Sequence, residues 1–519
     1  MRAATRPVYP LLLAAWPALA LAAQNPDEIG GVPDLAIPIG LGVAAAAAGW
    51  LLAAPLARDA YRRAAVAAAC VAWWWGFRRL VNAARVAPLG SDDLAGWWAV
   101  GLLAAGVFIL IRRLPPRFEG ATRFLNLLSL LLILLPTMSL IVRKSRTGHV
   151  QSSAMAPPLP HTLAPGVARP SVYLLILDGY TGRESLTRHY GFDNRAFEEA
   201  LEQRGFVLPA RFRANYTGTT LAVSAILNWD YIQSFAPELE KVVDRGSIIP
   251  FTEESRTWRF FAQAGYHILY APAYLGMSGR NRYASARFTP EETDFSVAWK
   301  GMTPISSATR WLRRRGVGVP GIQDESAQAK VHDRRFEVIA EAARLREPVL
   351  VYGHFLLPHE PYVYAGDCRH LEQPIWPWHD RTIPMEVDTR AYLEQLSCTN
   401  RKVLDLVDRV LAESRDPPII LLVSDHGRSS MRFGVLPLEQ SSERDVVERL
   451  DNFGAFLVPA PYRDAFRNTR TPVGVMRTLM RSVFEVPLRE LEEESYWSST
   501  RRPFTFQPIK WPDAPPGSP

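Results

Sequence analysis

Three short runs end in residues able to do metal or acid–base chemistry. Asp178 closes Leu-Ile-Leu-Asp-Gly-Tyr, His354 and His359 stand in His-Phe-Leu-Leu-Pro-His-Glu-Pro, and Asp425-His426-Gly427 follows Leu-Val-Ser. Carboxylates joined by an imidazole suit a divalent cation of the Mn, Mg or Zn kind, held through oxygen and nitrogen. Each motif alone has a plain alternative: Asp-Gly after a strand makes a turn, and a strand-end histidine is often a hydrogen-bonded structural residue. Their joint occurrence in this order is far more specific than any one of them.

Such a centre calls for a nucleophile. Asn-Tyr-Thr-Gly-Thr-Thr, residues 215–220, precedes an apolar-periodic helix over 221–232. A hydroxyl there sits at a helix N-terminus, where backbone N–H groups and the dipole favour an anion such as phosphate. A bound metal lowers a hydroxyl's pKa and stabilises charge on a transferring group. The alternative is that the threonines only cap the helix. Thr217, Thr219 and Thr220 all compete for the part.

The elements that must position these groups are short apolar runs at Val172–Leu177, Val349–Phe355 and 419–423, separated by helical patterns such as 193–204 and 389–414. This alternation predicts an α/β domain with a largely parallel central sheet, in which ligands bind beyond the carboxyl ends of the strands. The domain is expected over 171–500, after a Pro-, Ser-, Ala- and Gly-rich extended linker at 144–170 and before a Pro-rich tail at 501–519.

The first 143 residues are of a different kind. They hold 13 Arg, no Lys and 7 acidic residues, a net +6 of the whole chain's +7, so the remaining residues are almost neutral. The arginines fall in short clusters between apolar runs at 9–23, 37–56, 64–77, 94–111 and 124–142. Membrane topology explains that pattern better than nucleic acid does, and no basic stripe for a polyanion is left over. With 519 residues and 48% hydrophobic composition, a disordered or fibrous chain is excluded.

About five α-helical spans are expected in residues 1–143. The run at 64–77 is short and ends at Arg78 and Arg79, so it spans only if those side chains snorkel or the helix continues through them; otherwise it is re-entrant or interfacial. Residues 1–23 also read as a signal peptide. Arg2/Arg6, Arg58/Arg62/Arg63 and Arg112/Arg113/Arg117/Arg123 alternate with Asp27/Glu28/Asp34 and Asp92/Asp93. The positive loops are cytoplasmic, which delivers everything after Arg143 to the outer face. The Ala, Arg and Pro bias looks bacterial, so the expected location is the inner membrane with a periplasmic or outer catalytic domain. Of the three cysteines, Cys70 lies in an apolar run, whereas a bridge between Cys368 and Cys398 is plausible on an oxidising side.

Residues 171–500 resemble the alkaline phosphatase/sulfatase superfamily, in its membrane-anchored bacterial branch that includes lipoteichoic acid synthases and phosphoethanolamine transferases. The resemblance implies that Asp178 is the first metal carboxylate and Asp425-His426 the late metal pair. It also implies that Thr219, three residues before Ala222, is the nucleophile and a metal ligand, and that His354 and His359 touch substrate or a second metal. Two departures matter. No histidine follows His426, where phosphoethanolamine transferases have one, and the Cys-x-Pro-Ser-Arg signature that sulfatases need for formylglycine is missing.

The resulting expectation is metal-dependent transfer of a phospho-head-group from a phospholipid donor to an envelope glycan or lipid, through a phospho-threonine intermediate. A hydrolase on the same intermediate and a catalytically silent envelope-assembly scaffold are the alternatives.

Overall fold

The computed structural model describes residues 6–25, 29, 32–86, 92–115, 118–153, 163–273, 281–288, 294–313, 327–377, 382–428 and 434–511. Arg2, Asp27, Glu28 and Arg117 of the charge pattern, residues 154–162 of the linker and 512–519 of the tail lie outside them. The chain divides into two compact units. One comprises Met1–Gly148, Tyr274–Gly276 and Glu291–Asp324; the other comprises His149–Ala273, Met277–Pro290 and Glu325–Pro519.

The first unit is helical: α1 (Tyr9–Gln24), α2 (Val32–Ala53), α3 (Ala60–Val86), α4 (Asp92–Arg113) and α5 (Glu119–Ser153). Small residues let these helices approach closely. A Cβ on Gly49 would lie 2.9 Å from the Ala67 Cα and 2.8 Å from the Cys70 Sγ. The Asn126 side chain of α5 ties down the start of α1, accepting from the Val8 and Tyr9 amides at 3.0 and 2.9 Å. Among the described residues, two helices are long and apolar enough to cross a membrane, Val32–Ala53 and Glu119–Val142. On the latter, Leu127, Leu131, Leu135, Met138 and Ile141 are exposed. The 64–77 run lies within the 27 residues of α3, which continue through Arg78 and Arg79.

Two further helices of this unit come from far along the chain. Asp294–Met302 and Ile305–Arg313 pack with it, and Phe295 and Trp299 are buried in one cluster with Ala14, Ala18, Ala46, Val71 and Trp75. The sequence reading places this stretch inside the outer domain. It differs again at 144–153, where α5 runs on to Ser153. The first helix-breaking proline beyond the fifth apolar run is Pro157, so nothing earlier stops the helix.

The second unit is built on a six-stranded sheet of order β3-β2-β4-β1-β7-β8, where β1 is Val172–Leu177, β2 His267–Ala271, β3 Ala286–Arg287, β4 Val349–Phe355, β7 Ile419–Ser424 and β8 Gly454–Leu457. All pairings are parallel except the β7–β8 edge. β1, β4 and β7 are buried along their whole length, as unbroken apolar runs in a parallel sheet should be. Alternation sorts their side chains between two cores: Tyr173, Leu175 and Leu177 on one face, Val172, Leu174 and Ile176 on the other.

Within the expected tail, Arg502–Ile509 is a strand. β10 (Arg502–Ile509) pairs antiparallel with β9 (Ser495–Ser499), burying Phe504. Pro503 and Pro508, which suggest a tail in sequence, are tolerated on a strand whose outer edge needs no ladder bonds. Elsewhere in this unit, β5 (Tyr362–Tyr364) and β6 (His370–Ile375) form a separate ribbon, and Cys368 is disulfide-bonded to Cys398 on helix Met385–Glu413.

Candidate metal centre

The sheet register brings the three motifs to one level. Ile176 of β1 is paired with His354, and Leu177 with both Phe355 and Ser424. Asp178 and Asp425 therefore leave adjacent strand ends side by side, with His354 on the neighbouring strand. Asp178, Asp425 and His426 are fully buried, and each offers a ligand atom within 4.8 Å of the others. His426 Nε2 lies 3.3 Å from Asp425 Oδ2 and 3.7 Å from Asp178 Oδ1, while His354 Nε2 is 3.4 Å from Asp178 Oδ2.

Helix Thr219–Asn228 brings the hydroxyl. Gly218 is its N-cap, so Thr219 is the first helical residue. Thr219 Oγ1 lies 2.9 Å from His426 Nε2 and 3.5 Å from Asp178 Oδ2. Thr217 is committed elsewhere, donating to the Ser498 carbonyl at 2.7 Å, and Thr220 is buried in the helix's first turn. His359 lies beside the cluster, its ring centroid 6.3 Å from that of His426: its amide donates to the Asp178 carbonyl at 3.1 Å and its Nδ1 to the Glu360 carbonyl at 2.6 Å.

The electrostatics of the cluster suit a cation. Asp425 accepts from the amides of Gly179 and His426 through Oδ1 at 3.1 and 2.9 Å. Its Oδ2, and Oδ1 of Asp178, have no hydrogen-bond donor among the described residues although both are buried. Burial and the neighbouring Asp178 charge push the Asp425 carboxyl well up from the usual range. Burial also opposes ionisation of Asp178, but His359, His354 and His426 outweigh it and hold that carboxyl down. Burial and the positive Arg449 push His426 well down, so its imidazole is neutral. With Nδ1–H donating to the Gly427 carbonyl at 3.1 Å, Nε2 presents its lone pair to the cluster. Orphaned carboxylate oxygens, a neutral imidazole nitrogen and a nearby hydroxyl fit a divalent ion.

Several positioning residues escape sequence reading. Arg449 donates Nε–H to the Thr217 carbonyl at 2.7 Å and Nη1–H to the Gly427 carbonyl at 3.2 Å, so one guanidinium joins the loop before Thr219 to the residue after His426. Gln395 is fully buried on helix Met385–Glu413; it donates to the His359 carbonyl at 2.7 Å and accepts from the Val363 amide at 2.7 Å. The one signal for Gln395 is an uncharged polar residue on the apolar face of a long helix. Arg449 gives none.

Gly427 is tightly enclosed. A Cβ there would lie 2.1 Å from the Glu448 carbonyl oxygen and 2.7 Å from that of Asp451, both backbone atoms. Gly427→Ala is therefore expected to cost about 2 kcal/mol or more and to displace His426. Urea denaturation together with metal titration checks both; a variant as stable as the parent and binding metal equally well would refute the prediction.

No family model matches the chain, and no curated protein does. Similar solved structures include the C-terminal periplasmic domain of phosphoethanolamine transferase EptC from Campylobacter jejuni: 11% identity, 62% of this chain and 91% of that one, TM-score 0.38. The integral membrane protein lipooligosaccharide phosphoethanolamine transferase A from Neisseria meningitidis aligns over 92% of this chain and 94% of its own, with 11% identity and a TM-score of 0.38. A putative sulfatase from Bacteroides thetaiotaomicron aligns over 64% and 78%, with 14% identity and a TM-score of 0.38. The chain is thus similar to proteins of both the phosphoethanolamine transferase and the sulfatase kinds.

Proposed function

We propose that the protein is a membrane-anchored, metal-dependent phosphotransferase that works at the outer face of a bacterial cytoplasmic membrane. The observation that carries this reading is the Thr219 hydroxyl, at a helix N-terminus and 2.9 Å from neutral His426 within a cluster of orphaned buried carboxylate oxygens. Asp178, Asp425, His426 and Thr219 would hold one divalent ion, of the Mn, Mg or Zn kind, which lowers the hydroxyl's pKa and offsets charge on the phosphoryl oxygens. The free N–H groups of the helix's first turn receive the phosphate.

The Thr219 oxygen attacks the phosphorus of a phospholipid. The new O–P bond forms as the bond from phosphorus to the diacylglycerol oxygen breaks, and that oxygen takes up a proton as the threonine gives one up. A hydroxyl of an envelope glycan or lipid then attacks the phospho-threonine and regenerates Thr219. His354, whose Nε2 lies 3.4 Å from Asp178 Oδ2, and His359 would contact substrate. Incubating the purified protein with phospholipids labelled in the head group tests this. Label on an added glycan or lipid acceptor supports transfer, inorganic or water-soluble label identifies a hydrolase, and intact lipid with metal bound leaves only a scaffold.

Five spans beginning inside place the second unit outside, and the Cys368–Cys398 bridge suits an oxidising compartment. Alkaline phosphatase fused after Trp511 is expected to be active in cells. An inactive fusion, with a cytoplasmic reporter active at the same point, would mean that α3 does not cross.

A further inference from the structure

A second cluster of cationic and hydroxyl groups adjoins Gly218. A cavity of about 110 Å³ is lined there by Thr217, Gly218, Arg245, Arg449, Ser498 and Thr500, among others, and no carboxylate lines it among the described residues. Arg449 uses Nε and Nη1 on backbone carbonyls, and its Nη2 donates to nothing among the described residues. Arg245, on the short helical turn Arg245–Ile248 and exposed at the rim, makes no hydrogen bond or ion pair among the described residues. Both guanidinium-bearing residues line the one cavity, and the Arg245 charge disfavours that of Arg449. The Asp425 and Asp178 charges offset that of Arg449, whereas Arg245 has no ion-pair partner among the described residues, and an anion between the two guanidinium groups would supply one.

We propose that Arg245 and Arg449 form a second anion subsite beside the nucleophile, binding a phosphate or carboxylate carried by the same substrate molecule whose other group reaches Thr219. This rests on the Thr219 cluster being a phosphoryl-transfer site. It adds a substrate class: molecules with two anionic groups, one reacting and one gripped. Arg449 serves two ends, because the arm that grips the anion also joins the loops carrying Thr219 and His426. Arg245 serves only the anion, and its removal breaks no hydrogen bond or ion pair among the described residues.

The test is calorimetric titration of inorganic phosphate into the full-length, detergent-solubilised, metal-stripped protein, in which the bare carboxylates of the metal centre repel the probe. Saturable binding is expected, weakened at least tenfold by Arg245→Gln, much less by Arg245→Lys, and unchanged by Thr219→Ala. Absence of saturable binding in the parent, or binding within twofold of the parent in Arg245→Gln, would overturn the proposal. Loss of the phosphoryl-transfer reading would show separately, as turnover that survives Thr219→Ala. In the turnover assay, a rise of about tenfold in the KM of the donor lipid alone on Arg245→Gln assigns the second anion to the donor. A rise for the acceptor alone assigns it to the acceptor, and no rise for either overturns the proposal.

Discussion

Thr219→Ala is expected to lower turnover of a labelled phospholipid at least about a thousandfold while the fold and the bound metal persist. The hydroxyl is the attacking group in the proposed reaction, yet its methyl and oxygen contribute little to packing at a half-buried first helical position. Asp178, Asp425 and His426 remain to hold the ion. Thr217→Ala should cost far less, since that hydroxyl is occupied by the Ser498 carbonyl. Mass spectrometry of protein quenched during turnover should find phosphate on Thr219. Phosphate trapped on Thr217 or Thr220 would defeat the assignment.

Asp425→Asn should act in opposite directions with and without metal. In the parent, one tightly bound divalent ion per chain is expected, stabilising the fold by about 2.7 kcal/mol when its free concentration is a hundred times its Kd. The asparagine variant should lose most of that increment. Without metal, however, it should be the more stable of the two, because a neutral amide replaces one of two abutting buried carboxylates. Thermal unfolding of both proteins, with metal and with chelator, checks the reversal. Equal response to metal in parent and variant would remove Asp425 from the ligand set. Two stoichiometric ions in the parent, one lost on His359→Ala, would instead give the histidines a second metal.

The parts of this architecture legible in the sequence are those in which one short segment contains its own reason. β1, β4 and β7 are continuous apolar runs, so both their strand character and the placing of Asp178, His354 and Asp425 at their ends follow locally. The contribution of Arg449 does not. Its partner Thr217 lies 232 residues away in the chain, and helix Glu443–Leu450, which carries it, is otherwise an ordinary amphipathic helix with a Ser442–Asp445 capping box. β10 is obscured by its prolines, whose effect depends on whether a strand lies at an edge, a fact of the sheet and not of the segment. Phe295 and Trp299 recur at helical spacing, a pattern equally suited to any core; only packing reveals which unit they join.

That membership bears on how the protein can be cut and handled. The chain passes from the N-terminal unit to the second through the region after Gly148, then returns for Glu291–Asp324 before leaving again. A single protease nick at 154–162 would therefore free no water-soluble fragment, because the enzyme's body would still be attached through its own interior segment. A truncated protein beginning at Ser171 would carry Phe295 and Trp299 stripped of their helical neighbours, and should require detergent or self-associate. Removing residues 291–324 as well should yield a dispersed domain that keeps the residues of the metal cluster.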